Sequence, residues 1–141
     1  MSLRPFHLAI PVNDLDAARA FYGTLLGCAE GRSDTHWVDF NFFGHQLVCH
    51  LDSRASQGQP ALSNFVDGHG VPVPHFGLVL DMQSWDSMRD RLQAAGIEFL
   101  IEPTVRFKGK VGEQATMFFR DPAGNSLEIK AFERLDQLFA R

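Results

Sequence analysis

The sequence predicts an α+β protein made of two β-α-β-β-β modules that form a curved mixed sheet around a cleft. Three observations carry that prediction. "HLAIPV" at residues 7–12 returns as "HFGLVL" at 75–80, in each case a histidine, a small residue two places on, then aliphatics. A glycine that stops a helix follows each copy: Gly27 and Gly96 are 69 residues apart, where His7 and His75 are 68 apart. Gly44 before "HQLVC" and Gly124 before "NSLEI" repeat the order again, 80 residues apart because the second half carries the extra loop "RFKGKVGE".

Residues 6–12 read as a strand, because Phe6, Leu8 and Ile10 alternate with His7 and Ala9, and Pro11 limits how far that strand pairs. "NDLDAARAFYGTLLG" reads as a helix capped by Asn13 or Asp14, with Ala17, Phe21, Leu25 and Leu26 at helical spacing and Gly27 as its stop. "HWVDFNF" and "HQLVCHL" form a hairpin across Phe43 and Gly44. Residues 52–74 are rich in Gly, Pro and Ser, which predicts a connection with room for a loop over a cleft. The order then recurs: strand "HFGLVL", helix "QSWDSMRDRLQAAG", strand "IEFLIEP", strand "EQATMFF", turn "RDPAGN" and strand "SLEIKAF". One domain is expected over residues 1–141, with module one at 5–52, a linker at 53–73, module two at 74–132 and a terminal helix at 133–141.

Composition narrows the function classes. Apolar content of 45%, charged content of 21% and a net charge of -4 describe a folded chain with no basic surface for nucleic acid. No apolar run approaches the roughly 20 residues that span a bilayer, and the first apolar stretch is too short for a signal peptide, so a cytoplasmic protein without a membrane partner is expected. Cys28 and Cys49 fall at a helix end and in a strand, which suits reduced, partly buried thiols rather than a disulfide.

The chemistry lies on alternating strand faces. His7 shares a face with Ala9, and His75 with Gly77, while the aliphatics point the other way toward the helices. In the closing strand Ser126, Glu128 and Lys130 alternate with Leu127 and Ile129, which presents one carboxylate opposite the packing face. Two imidazoles and one carboxylate on equivalent faces of three central strands make a facial triad that leaves positions on a divalent metal open to substrate, water or oxygen.

"HLAIPVNDLDAARAFYGTLLG" together with "FFRDPAGNSLEIKAF" resembles the vicinal oxygen chelate superfamily, the fold shared by glyoxalase I, fosfomycin-resistance thiol transferases, bleomycin-binding proteins and extradiol dioxygenases. The resemblance covers residues 5 to 132 and implies metal ligands at His7, His75 and Glu128. The fourth corner used by glyoxalase I falls on Val48, so the implied set is the three-ligand one of the extradiol dioxygenases and fosfomycin transferases. A dioxygenase implies Fe(II), with Mn(II), Zn(II) and Ni(II) as alternatives, and His50, on the same face as Val48, as the acid-base group. Such dioxygenases tend to carry a tyrosine on the strand before the ligand glutamate; here that strand reads "ATMFF" and the sole tyrosine is Tyr22. Arg106 and Lys108 in the basic loop, with Phe107 as an apolar wall, are the candidate substrate-binding residues for a small anion. The implied function is extradiol-type dioxygenation of a small substrate that chelates the metal through adjacent oxygens, in a homodimer. An oxygen-independent lyase, isomerase or thiol transferase, or a binding protein of the bleomycin-resistance kind, are the alternatives.

Overall fold

The predicted duplication appears as two four-stranded mixed sheets in a computed structural model that describes residues 3–55, 62–66 and 69–141. The chain divides into two units, Met1–Gln59 with Asp121–Asn125, and Pro60–Arg120 with Ser126–Arg141.

The first unit contains β1 (His7–Val12), α1 (Leu15–Ala18) continuing as a π-helical segment Arg19–Leu25, β2 (Ala29–Ser33), β3 (Trp37–Phe42) and β4 (His45–Leu51). Its sheet order is β1-β4-β3-β2, with β1 parallel to β4 and the other pairs antiparallel. Asp14 is the cap, its carboxylate accepting from the Ala17 amide at 3.0 Å. The predicted helix keeps its extent but widens after Ala18, where the Leu26 amide reaches back to the Phe21 carbonyl. The wider turn lets two successive aromatics, Phe21 and Tyr22, both enter the core, their rings edge to face at 4.8 Å. The Tyr22 hydroxyl donates to Asp121 at 2.7 Å, and the same carboxylate accepts from the backbone of Ala123 and Asn125 and from the Asn125 side chain. Burial first, then the Asp121 charge, push the Tyr22 phenol well above its ordinary range. The strand β2 has no alternating pattern to announce it: "AEGRS" is exposed throughout and joins the sheet as an edge with a bulge between Glu30 and Ser33.

The second unit contains β5 (Leu62–Val66), β6 (His69–Val73), β7 (Phe76–Leu80), α2 (Met82–Ala94), β8 (Phe99–Arg106), β9 (Gln114–Arg120) and β10 (Ser126–Phe132). Its main sheet runs β7-β10-β9-β8, with β7 parallel to β10. Asp81 caps α2 by accepting from the Ser84 amide at 2.8 Å, and Trp85, Met88 and Leu92 form its buried stripe. The indole of Trp85 donates to the Ile129 carbonyl at 2.9 Å, tying the helix to β10.

Three expectations change here. The linker expected at residues 53–73 contains the hairpin β5–β6, whose pairing tolerates Pro72 because a two-stranded ribbon leaves one side of each strand unpaired; residues 56–61 and 67–68 of that linker lie outside the described residues. The strand β8 runs through Pro103 to Arg106, past the predicted "IEFLIEP", because two register shifts between Phe99 and Thr104 absorb the proline. The terminal helix expected over 133–141 is one 3-10 turn, Leu135–Gln137. Among the described residues, no helix is long and apolar enough to cross a membrane.

The backbone repeats as closely as the sequence. Gly44 and Gly124, the two hairpin glycines, have φ of 93° and 94°. Matching registers follow: Ala9 lies opposite Val48 in the first sheet, as Gly77 lies opposite Glu128 in the second.

Candidate metal centre

His75 stands just before β7, and Glu128 occupies the middle of β10, the strand paired with it. Their approach depends on a missing side chain. A Cβ on Gly77 would overlap the Glu128 carbonyl oxygen and lie 2.6 Å from its carbonyl carbon, so only glycine lets β7 run this close to β10.

His75 Nε2 lies 3.2 Å from Glu128 Oε2. The other ring nitrogen, Nδ1, is 2.6 Å from the Pro72 carbonyl oxygen. A carbonyl only accepts, so Nδ1 carries the hydrogen and Nε2 faces the carboxylate. Two acceptors at that distance repel unless a positive charge, a proton or a metal ion, lies between them. Thr116 on β9 donates its hydroxyl to the other carboxylate oxygen, Oε1, at 2.8 Å, and leaves Oε2 turned to the imidazole. The neighbouring Phe118 ring packs edge to face with His75, centroids 5.0 Å apart, which limits the imidazole's rotation.

This pair fits a divalent ion. With metal–ligand bonds of about 2.1 Å, neighbouring ligands stand about 3.0 Å apart in an octahedron and about 3.4 Å apart in a tetrahedron. The observed 3.2 Å lies within that range. The Pro72 carbonyl and the Thr116 hydroxyl orient the two donors as outer partners of metal ligands do.

His7 belongs to the first unit, where its Nδ1 is 2.8 Å from Gln46 Oε1. The amide of Gln46 has one orientation: its Nε2 donates to the buried Asp39 carboxylate at 3.1 Å, so Oε1 must accept. His7 Nδ1 is therefore the donor, which leaves Nε2 as the nitrogen that could coordinate an ion. The structure brings two of the three predicted ligands together, His75 and Glu128. Among the described residues, no group of three His, Cys, Asp or Glu side chains is placed to hold a metal.

The second unit encloses a cleft of about 470 Å³ beside the His75–Glu128 pair. Thr104, Gln114, Thr116, Arg106 and Lys130 supply polar groups to it, and Val71, Ile101, Ala115 and Phe118 an apolar wall. Arg106 is the one of the three predicted substrate-binding residues among these lining residues. Phe107 is half exposed, in a left-handed conformation with φ of 57°, and its ring lies 5.1 Å from the Arg106 guanidinium. Lys108 is exposed in the turn that follows. His50 is exposed at the end of β4 in the first unit, lining a shallow hollow with Ala9, Pro11 and Asp52.

Sequence reasoning missed Pro72, Thr116, Gln46 and Asp39. For Thr116 the signal was available, since pairing "ATMFF" against "SLEIKAF" puts Thr116 and Phe118 beside the Glu128 face. The Pro72 contact is made by a backbone carbonyl and leaves no side-chain signal.

The comparisons bear on the family and the fold. A family model for the Glyoxalase/Bleomycin resistance protein/Dioxygenase superfamily matches residues 4–129. Among solved structures, a glyoxalase/bleomycin resistance protein/dioxygenase from Alicyclobacillus acidocaldarius is 35% identical, with 96% of each chain covered and a TM-score of 0.74. The fosfomycin resistance protein FosX from Listeria monocytogenes is 19% identical over 97% of this chain and 98% of its own, with a TM-score of 0.70. A lactoylglutathione lyase from Agrobacterium tumefaciens is 22% identical over 98% and 97%, with a TM-score of 0.64. The last two share the fold. No curated protein matches the chain. The chain belongs to the Glyoxalase/Bleomycin resistance protein/Dioxygenase superfamily.

Proposed function

We propose that the chain is a metal-dependent enzyme whose small substrate presents two adjacent oxygens to a divalent ion held by His75, Glu128 and His7. The observation that carries the reading is the His75 Nε2–Glu128 Oε2 approach of 3.2 Å, with the far ring nitrogen committed to the Pro72 carbonyl. His7 is the third ligand, from the same chain or from a second copy in a homodimer. A divalent ion bound there supplies Lewis acidity and a template for adjacent oxygens. The chain's own residues hold the donors in place. Thr116 fixes the carboxylate, Pro72 and Phe118 fix the imidazole, and Val71, Ile101 and Phe118 keep the inner wall of the cleft apolar.

Oxygen-independent chemistry, as a lyase, isomerase or transferase, is the first reading. The cleft's described lining holds cations, threonines and a glutamine but no tyrosine, and Tyr22 is fully buried with its hydroxyl committed to Asp121. Extradiol-type dioxygenation is the second reading, supported by His50, whose exposed imidazole shares a strand face with Val48. Metal analysis of protein purified without chelators, set against Glu128→Ala, tests the centre: the native chain should hold about one divalent ion and the variant less than a tenth of that. Equal metal in both removes Glu128 from the site. Oxygen uptake by the Fe(II)-loaded chain with a panel of catechols separates the two chemistries, and consumption with any of them replaces the first reading with the second.

A further inference from the structure

We infer that the cleft of the second unit carries an anion subsite centred on Lys130, so that the substrate is a small organic acid whose oxyanion sits apart from the oxygens on the metal. This rests on the proposed metal site and adds the class of substrate that reaches it.

The charge inside the cleft runs against the charge of the whole chain. The protein carries a net charge of -4, yet Lys130 and Arg106 both line the cleft, where Glu128 is the one acidic residue among the described lining residues. The carboxylate of Glu128 is committed to Thr116 and His75. Among the described residues, Lys130 makes no ion pair; its ammonium lies 5.9 Å from the centre of the Phe132 ring. A cation lining a partly enclosed cleft, without a carboxylate of its own, is a standing attraction for an anion.

Position supplies the second half of the argument. Lys130 lies two residues beyond Glu128 on the same face of β10, so the two side chains start about 6.6 Å apart. Thr116, directly across β9 from Lys130, lines the space between. An oxyanion at Lys130 would thus be separated from metal-bound oxygens by a short carbon skeleton, and Ile101 and Phe118 offer that skeleton an apolar wall. Arg106 lines the same cleft with its guanidinium over Phe107, so the second cation is a planar fork suited to a carboxylate or a phosphonate.

The test is equilibrium binding of benzoate, phenylphosphonate and uncharged benzamide to the full chain by calorimetry. It is run on protein as purified and again after chelator treatment, which removes any metal that would itself bind an anion. Either oxyanion should bind at least tenfold tighter than benzamide in both preparations. Lys130→Gln should reduce that preference to about twofold or less, Lys130→Arg should restore it, and Arg4→Gln, an exposed change in the first unit, should leave it intact. If phenylphosphonate exceeds benzoate tenfold the oxyanion is a phosphonate; otherwise it is a carboxylate. Equal binding of benzamide and the anions, or an unchanged preference in Lys130→Gln, overturns the subsite. A preference that survives chelation in a chain that never held metal would keep the subsite and overturn the metal site instead.

Discussion

Replacing Gly77 by alanine tests the link between the sheet and the site. The added methyl would overlap the Glu128 carbonyl oxygen, with the carbonyl carbon at 2.6 Å and the Glu128 amide nitrogen at 3.1 Å. All three atoms are backbone, so no side chain can rotate away and the parallel pair β7–β10 must separate. Overpacking a fitted interior costs about 1–3 kcal/mol, and the lack of a rotamer escape puts this change at the upper end. With an unfolding entropy of about 2 cal/mol/K per residue, 3 kcal/mol corresponds to a fall in Tm of about 10 °C for a chain of this length. The same displacement carries Glu128 away from His75, so bound metal should fall more than tenfold. Ala9→Gly, at the matching position opposite Val48, is the control and should cost only about 0.5–1 kcal/mol. Thermal melts followed by circular dichroism, with metal analysis of the same samples, read both effects. A Gly77→Ala chain that melts within about 2 °C of the parent refutes the close approach. One that melts early but keeps its metal refutes the claim that this approach positions Glu128.

The buried hydroxyl of Tyr22 donates to a carboxylate, a bond worth about 1.5–3 kcal/mol, so Tyr22→Phe should lower Tm by about 5–10 °C; an unchanged melt would mean that the other donors to Asp121 compensate in full. Alkaline stability should fall early. Burial pushes the thiols of Cys28 and Cys49 up to about 11 and about 12, and burial with the Asp121 charge pushes Tyr22 up as well. The unfolded chain loses these protons first, so their contribution is complete below pH about 9 and is lost as pH rises through 9 to 12. Melts between pH 8 and 12 should hold Tm up to about pH 9 and lose it steadily above, with the phenolate absorbance of the single tyrosine appearing only on unfolding. A flat Tm over that interval would contradict the burial of these groups.

The repeated parts of the fold were the legible ones. His7 and His75, Gly27 and Gly96, and Gly44 and Gly124 are local signals, each tied to a strand start or a left-handed turn, and each recurs at a nearly constant offset. Counting from Gly44 and Gly124 matched Val48 with Glu128, and the two parallel registers keep that match. The parts that stayed dark are those that pairing alone creates. The strand β2 is five exposed residues without alternation, and β5–β6 is written in residues that elsewhere make loops. At the site, the residue types of His75 and Glu128 could be read from strand faces, but the partners that orient them could not. Thr116 needs the β9–β10 register to be known, and the contact from Pro72 is a carbonyl that any residue would offer. Of the basic loop's candidates Arg106 is among the residues lining the cleft, and Lys130, two places past Glu128, is the cation that strand alternation supplies.

The two histidines commit Nδ1 as a donor by unrelated means. His75 gives its Nδ1 hydrogen to a backbone carbonyl three residues earlier, whereas His7 gives its own to Gln46, its neighbour across the parallel pair β1–β4. The position that matches Gln46 in the second unit is Ser126, buried and shorter, so the duplication did not copy the device. Both anchors leave Nε2 as the ring nitrogen turned outward, which is what the proposed ligand role at both positions requires. Asp39→Asn puts this to the test without touching His7 or Gln46. The carboxylate forces Gln46 to donate from Nε2, whereas an asparagine amide can also donate, so Gln46 is freed to turn and the His7 ring should divide between its two tautomers. Nitrogen-15 spectra of the ring, recorded without metal, should show one tautomer, with the hydrogen on Nδ1, in the parent chain and a mixture in the variant. The hydrogen on Nε2 in the parent would remove His7 from the proposed ligands. A single unchanged tautomer in Asp39→Asn would mean that Gln46 holds the ring alone and that the buried carboxylate serves only the sheet.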